Sequence, residues 1–157
     1  MRVFHEFDAF YQQDSKILIL GSFPSVKSRE VSFYYGHPQN RFWKVLSSIF
    51  EDELPITIED KKAFLTKHHI ALYDVIDSCE IKGSSDASIQ NVQLTNLEEI
   101  VNHSKIDTIV LNGKAASKYF VRPLNFDGRV LHLPSTSAAN ARCNLDRLIN
   151  EWKYITE

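Results

Sequence analysis

Apolar residues in this chain come in short unbroken runs as well as in helical stripes, and the two alternate. Ile17-Leu18-Ile19-Leu20 is the first run, within a strand predicted over 16–20. Similar runs predict strands over 70–76 (IALYDVI), 108–111 and 130–133. Short continuous runs suit strands covered on both faces, as in a parallel sheet. Between them the spacing turns helical. Phe4, Phe7, Phe10 and Tyr11 predict a short amphipathic helix within 4–13, and Phe42, Trp43, Leu46 and Phe50 predict another over 40–50. Thr57 and Asp60 frame a capping box for a helix to about 68. Thr95 and Glu98 frame a better one, for a helix with Leu97, Ile100 and Val101 on its apolar face. Residues 114–120 read as a helix stopped by Pro123, and a last helix over 138–154 turns Leu145, Leu148, Ile149 and Trp152 inward. The alternation implies an α/β fold, a parallel sheet with helices on both faces.

Three of the strand ends deliver polar loops to one edge of that sheet: 21–40, Asn112-Gly113 and 134–140. Ligands of open α/β sheets bind beyond the carboxyl ends of the strands, so the site is expected there. The loops carry Gly, Ser, Thr, Asn, Pro and aromatic rings and almost no acid. They hold no Ser–His–Asp set, no paired carboxylates and no GxGxxG, which excludes a Rossmann dinucleotide site. Residues 77–91, around Lys82-Gly83-Ser84-Ser85-Asp86, read as a fourth, turn-rich loop.

Composition narrows the class further. With 157 residues, 43% hydrophobic and 24% charged, the chain is expected to be one domain, 1–157, with a proper core. No apolar run approaches a membrane span and no signal-peptide core opens the chain, so a cytoplasmic protein is expected. Cys79 and Cys143 are far apart and the histidines lack ligand spacing, so no metal and no cofactor is expected. The net charge of −2 alone argues against a nucleic-acid protein. Its distribution differs: 22–44 holds four bases against one acid, 112–147 six against two, and 45–100 eleven acids against four lysines. If the first two segments meet, one face is positive; the alternative is charge that is merely solvated.

Two motifs in order resemble the uracil-DNA glycosylase superfamily. The first strand is followed by Gly21-Ser22-Phe23-Pro24-Ser25 and then by Tyr35-Gly36-His37-Pro38-Gln39-Asn40-Arg41-Phe42-Trp43. The fourth strand is followed by Leu133-Pro134-Ser135-Thr136-Ser137-Ala138-Ala139-Asn140. HPxNRFW is long and specific, and the combination is most similar to the hypoxanthine-DNA glycosylase branch. The resemblance implies a three-layer α/β/α sandwich with a central four-stranded parallel sheet. Most members place Asp or Asn two residues after the first glycine, where Phe23 stands here. Many place His where Leu133 stands, with His132 one residue earlier. Both departures agree with the branch that uses an Asn of the HPxN segment, here Asn40.

The activity so implied is monofunctional base excision: hydrolysis of the N-glycosidic bond of a deaminated base, hypoxanthine first, after the nucleotide is flipped out of the duplex. Asn40 and Asn112 are the candidate catalytic amides; Asn40 either orients the attacking water or donates to the departing base. Gly21, Ser22 and Phe23 would line the base pocket, with Tyr35 (or Tyr34) stacking on the base for about 1–3 kcal/mol. Ser25, Pro134, Ser135, Thr136, Ser137, Asn140 and Arg142 would face the DNA, the serines at the start of the last helix. The expected partner is DNA containing a deaminated base, met by a monomer away from membranes. Alternatives are a mismatch-specific uracil or xanthine glycosylase, or a nucleic-acid-binding module without chemistry. Plainer roles compete at several positions: Asn40 as a helix cap, His37 as a loop brace, His132 as a satisfied strand histidine, and Ser135 and Ser137 as caps.

Overall fold

The computed structural model describes residues 2–157. In chain order its elements are β1 (Arg2–Phe4), β2 (Ile17–Gly21), α1 (Val26–Val31), α2 (Phe42–Ile49), α3 (Ile58–Lys67), β3 (Ile70–Asp74) and β4 (Ile76–Glu80). There follow β5 (Gln90–Leu94), α4 (Glu98–Asn102), β6 (Thr108–Asn112), α5 (Lys114–Tyr119), β7 (Arg129–Leu133) and α6 (Leu145–Trp152). The expected parallel sheet is present, with four strands in the order β3-β2-β6-β7. Placing β2 and β6 in the middle accounts for their full burial and for their unbroken apolar sequences.

Side chains alternate across this sheet and sort the core into two layers. Ile17, Ile19, Ile70, Leu72 and Val110 point to one face, where they meet Phe42, Trp43 and Leu46 of α2, Phe64 of α3, and Leu148 and Trp152 of α6. Leu18, Leu20, Ala71, Ile109 and Leu111 point to the other, against Ile100 of α4 and Ala116 of α5. The result is the three-layer sandwich. Each of the large side chains among these, fully buried, contributes about 1.5–3 kcal/mol.

Several sequence expectations differ from the structure, among them α1, which forms inside the 21–40 segment read as loop. Residues 4–13 are not a helix: β1 pairs antiparallel with β4, and Phe10 exchanges backbone hydrogen bonds with Leu72 at the free edge of β3. This extended path splits the apolar side chains between layers, Phe7 and Phe10 to one and Val3 and Tyr11 to the other. A helix would have kept them together. The strand read over 70–76 breaks at Val75, whose N–H turns to the Gly21 carbonyl. From there the chain enters a second, antiparallel sheet, β1-β4-β5, so the loop read over 77–91 is confined to 81–89, with a short 3-10 turn at Asp86–Ser88, and its two ends are strand. Thr95 does not cap α4; its hydroxyl donates to the Asp74 carbonyl, and Asn96 accepts from Glu98 N–H instead. The last helix starts at Leu145, capped by Asn144, and not at 138.

Candidate active site

The last inward-facing row at the carboxyl edge of the sheet is polar where the rows below it are apolar. Counting by twos from the core, Ile70 and Leu72 lead to Asp74, Ile17 and Ile19 to Gly21, and Val110 to Asn112. Gly21 pairs with Asp74, and Asn112 pairs with Leu133 on the far side. Above this row opens a cavity of about 310 Å³. The residues expected from sequence line it, with the exceptions of Pro134, Asn140 and Arg142. Gly21 is obligatory at the floor: a Cβ there would lie 2.6 Å from Asp74 Oδ1 and 3.3 Å from the Tyr35 hydroxyl.

Asn112 and Asn40 are joined through one side chain. Asn112 Oδ1 accepts from Thr136 N–H (3.0 Å), and its Nδ2 donates to Thr136 Oγ1 (3.1 Å). That hydroxyl donates in turn to Asn40 Oδ1 at 2.9 Å. The same Oδ1 accepts from Phe42 N–H at 3.0 Å, which fixes the orientation of the amide and starts α2. The N-cap of α2 is Arg41, so Asn40 is not the expected helix cap: it stands one residue ahead and holds the first helical N–H from there while lining the pocket. Both lone pairs of Asn40 Oδ1 are committed, and its Nδ2 has no protein partner among the described residues.

Tyr35 stacks on Phe42 with ring centroids 3.8 Å apart and planes 16° from parallel. It holds a left-handed backbone conformation (φ 52°), uncommon for a bulky residue and typical of sites that impose a geometry. Its hydroxyl is buried without a partner among the described residues. Burial and the Asp74 charge push the phenol above its ordinary range, and the Asn112 amide acts in the opposite direction. Tyr34 is the core tyrosine of the pair: it is 2% exposed, donates to the Asp8 carbonyl and packs edge-on to Phe7. Along the same wall Ser25 caps α1, and Phe23 packs into the opposite core layer beneath Arg29.

Two carboxylates face the cavity, which corrects the reading of an acid-free site. Asp74, 4% exposed, receives His5 Nε2 on Oδ2 at 2.8 Å. Asp86, on the 3-10 turn, accepts from Ser22 Oγ at 2.8 Å. Burial raises the Asp86 carboxyl, the Ser22 hydroxyl pulls it down, and the Asp74 charge raises it again. Asp74 had a signal in the sequence, since it ends its strand at the same rank as Gly21 and Asn112. Asp86 had none, because the antiparallel sheet that carries it was unread.

The loop after β7 also differs from expectation. Ser135, Thr136, Ser137, Asn140 and Arg142 lie in turns ahead of α6, not on it, so no helix start presents the serines. Arg41 organises these turns, an assignment the sequence reading missed. Its backbone N–H and Nε reach the Thr136 carbonyl (3.0 and 3.3 Å), Nη2 reaches those of Ser137 (2.7 Å) and Asn140 (3.2 Å), and Nη1 that of Cys143. Asn140 itself donates to the Ser135 carbonyl, and the Pro134 carbonyl accepts from the Trp152 indole. Arg142 is exposed. His37 accepts from Gln39 N–H and braces its loop, while His132 turns away from the cavity to Ser117.

Comparison with known proteins agrees with this geometry. The family model described as the uracil DNA glycosylase superfamily matches residues 9–155. A protein of Methanosarcina acetivorans named hypoxanthine DNA glycosylase is 34% identical over 155 residues, 95% of either chain. One of the same name from Methanosarcina barkeri is 30% identical over 87% of either chain. A solution NMR structure from M. acetivorans, of a protein described as a uracil DNA glycosylase, superposes with a TM-score of 0.82 at 30% identity, covering 95% of this chain and 93% of its own. A family match spanning nearly the whole chain, on a sheet whose carboxyl edge gathers both motifs around one cavity, makes this chain a member of the uracil DNA glycosylase superfamily.

Proposed function

We propose that the protein is a monofunctional DNA glycosylase of base excision repair that hydrolyses the N-glycosidic bond of hypoxanthine in DNA. The observation that carries this reading is the Asn40 amide, held on its oxygen by Phe42 N–H and Thr136 Oγ1 and presenting its nitrogen to a cavity walled by Tyr35. A base must leave the duplex to reach such a cavity. Stacked against the open side of Tyr35, it gains about 1–3 kcal/mol, enough to retain it but not to select it.

Cleavage builds positive charge on the sugar and negative charge on the departing base. A donor fixed before the reaction stabilises that negative charge without reorganisation, and removing one such donor costs about 10²–10³ in rate. Asn40 Nδ2 is this donor. Its saturated oxygen leaves it no acceptor with which to orient a water, so the geometry favours the leaving-base role over the water role. Among the described residues no lysine lines the cavity, in keeping with hydrolysis and no Schiff-base lyase step. The names borne by the two Methanosarcina relatives support hypoxanthine as the base.

The test is a panel of duplexes carrying hypoxanthine, uracil or xanthine, with released base measured by chromatography and strand breaks after alkali. Hypoxanthine release, lost in Asn40→Ala, is the expected result. Release of uracil or xanthine alone would support the second reading, which the family's description favours. Binding to the hypoxanthine duplex with no base released would make the protein a binding module.

A further inference from the structure

The cavity is electrically two-sided. On the β6 side stand the amides, Asn112 and, through Thr136, Asn40. On the β3 side stand the carboxylates: Asp74 ends β3, and Asp86 is held by the Ser22 hydroxyl at 2.8 Å, near enough for the Asp74 charge to reach it. Ser22 belongs to that side as well, since its carbonyl accepts from Ile76 N–H at the start of β4. β2, ending in Gly21, lies between the two sides. The acids differ in depth. Asp74 is 4% exposed, with Oδ2 occupied by His5 Nε2. Asp86 is exposed at the rim, and its Oδ2 has no protein partner among the described residues.

A carboxylate at the rim is a liability for a protein that receives DNA, because it repels the phosphates flanking the nucleotide that enters. Of the exposed residues that line the cavity (His37, Gln39, Ser84, Asp86, Ala138 and Ala139), it alone is negative. A fixed charge that opposes ground-state binding favours the reaction only where the transition state turns positive. In N-glycosidic cleavage that place is the deoxyribose, which the strand's phosphates hold at the rim while the base goes in. We infer that Asp86 is a catalytic carboxylate, set at C1′ of the flipped nucleotide to stabilise its positive charge and to take the proton of the attacking water. This rests on the base-excising reading above. It supplies the half of the reaction that Asn40 leaves open, since the saturated Asn40 oxygen has no acceptor for a water.

The C1′–N bond breaks with its electron pair going to the base, toward the amide side. The water oxygen bonds to C1′, and its proton passes to Asp86 Oδ2 and then through solvent to the base anion. Ser22 keeps Oδ1 fixed throughout.

Asp86→Asn keeps an oxygen for Ser22 Oγ and removes the charge. Single-turnover rates and binding titrations would be measured on the same hypoxanthine duplex. The variant should release base about 100-fold or more slowly, yet bind the duplex as tightly as wild type or tighter. A merely structural role would weaken both. A second readout needs no turnover: competition between duplexes carrying a neutral tetrahydrofuran or a cationic pyrrolidine abasic site in place of the lesion. Wild type should prefer the pyrrolidine by about tenfold or more, and Asp86→Asn should erase that preference.

Release near the wild-type rate in Asp86→Asn overturns the inference, as does equal loss of release and binding, or a preference that survives the substitution. So does a wild type indifferent to the pyrrolidine charge, a result that needs no variant to fold. Wild type releasing no base from any duplex sinks the functional reading, and this inference with it; base release without a pyrrolidine preference sinks this inference alone.

Discussion

An amide whose oxygen is already committed twice has only hydrogen left to offer, and this decides what each substitution of Asn40 should do. Asn40→Ala removes the donor together with the acceptor of Phe42 N–H and Thr136 Oγ1. It should cost about 10²–10³ in base release and about 1 kcal/mol in stability, read by single-turnover rates and urea unfolding. Asn40→Asp keeps an acceptor for Phe42 N–H and for Thr136 Oγ1 but has no N–H. If the side chain serves the departing base, this carboxylate variant restores stability and not activity; activity in it would return Asn40 to the water-orienting role. Gly21→Ala is the second residue-scale test. The new methyl would lie 2.6 Å from Asp74 Oδ1, so either the floor or β2 must shift. A loss of about 1–3 kcal/mol is expected, together with a large loss of base release.

Among the elements, the two motif segments depend on each other through Arg41. Its fork satisfies carbonyls of Thr136, Ser137, Asn140 and Cys143, which lie in a stretch with no helix or strand of its own. Arg41→Lys replaces the fork by a single ammonium and leaves carbonyls unpaired, for about 2–3 kcal/mol. Limited proteolysis should then cut within 134–143, and Thr136 should no longer hold Asn40, so base release falls with stability. A second junction couples the end of α2 to the end of α3. Asp52 accepts from His68 (2.8 Å), Lys67 (3.0 Å) and Glu53 N–H (2.8 Å), and these, His68 foremost, hold its carboxyl well below the usual range. A depressed carboxylate contributes stability that is fully present above its unfolded value, about 3.9, and lost as pH falls below it. Asp52→Asn should therefore lower Tm at neutral pH, with the difference closing as the pH drops from about 4 toward 2. The elements legible in sequence were those whose pattern served a single core layer. α2 and α3 are of this kind, the unbroken apolar runs of β2 and β6 were legible because both their faces are buried, and the Thr57–Asp60 box forms as read. The N-terminal segment misled because its rings divide between layers, and β4 and β5 because their exposed positions are polar and their partners distant in sequence. The site followed the same rule: loops adjacent to motifs were readable, whereas His5, Asp74 and Asp86 meet only in three dimensions.

At the scale of the whole molecule, charge is sorted less simply than segment sums suggest. The two basic segments do meet, through Arg41, at the mouth of the cavity. Yet much of their charge is bound to the protein's own backbone. Arg29 holds the carbonyls of Ser25 and Gly83, Arg122 those of Phe126 and Gly128, and Arg129 the Thr108 hydroxyl and the Glu157 carbonyl. Lys44, Lys114, Lys118 and Arg142 remain exposed, without an ion pair or hydrogen bond from their side chains among the described residues. A protein that neutralises Z phosphates shows a log–log salt slope near −0.9Z, so contacts from all four predict about −3.6 for binding to a hypoxanthine duplex. Arg142 stands in the same loop as Ser135 and Thr136, which line the cavity, but outside the cavity itself. Arg142→Ala should flatten the slope by about 1, weaken binding to every duplex alike, and leave the preference among bases unchanged. Fluorescence anisotropy across a salt series measures all three. A slope that Arg142→Ala leaves untouched would move the phosphate track off this loop, while the base pocket, built from Asp74, Asn112 and Asn40, would stand or fall on its own tests.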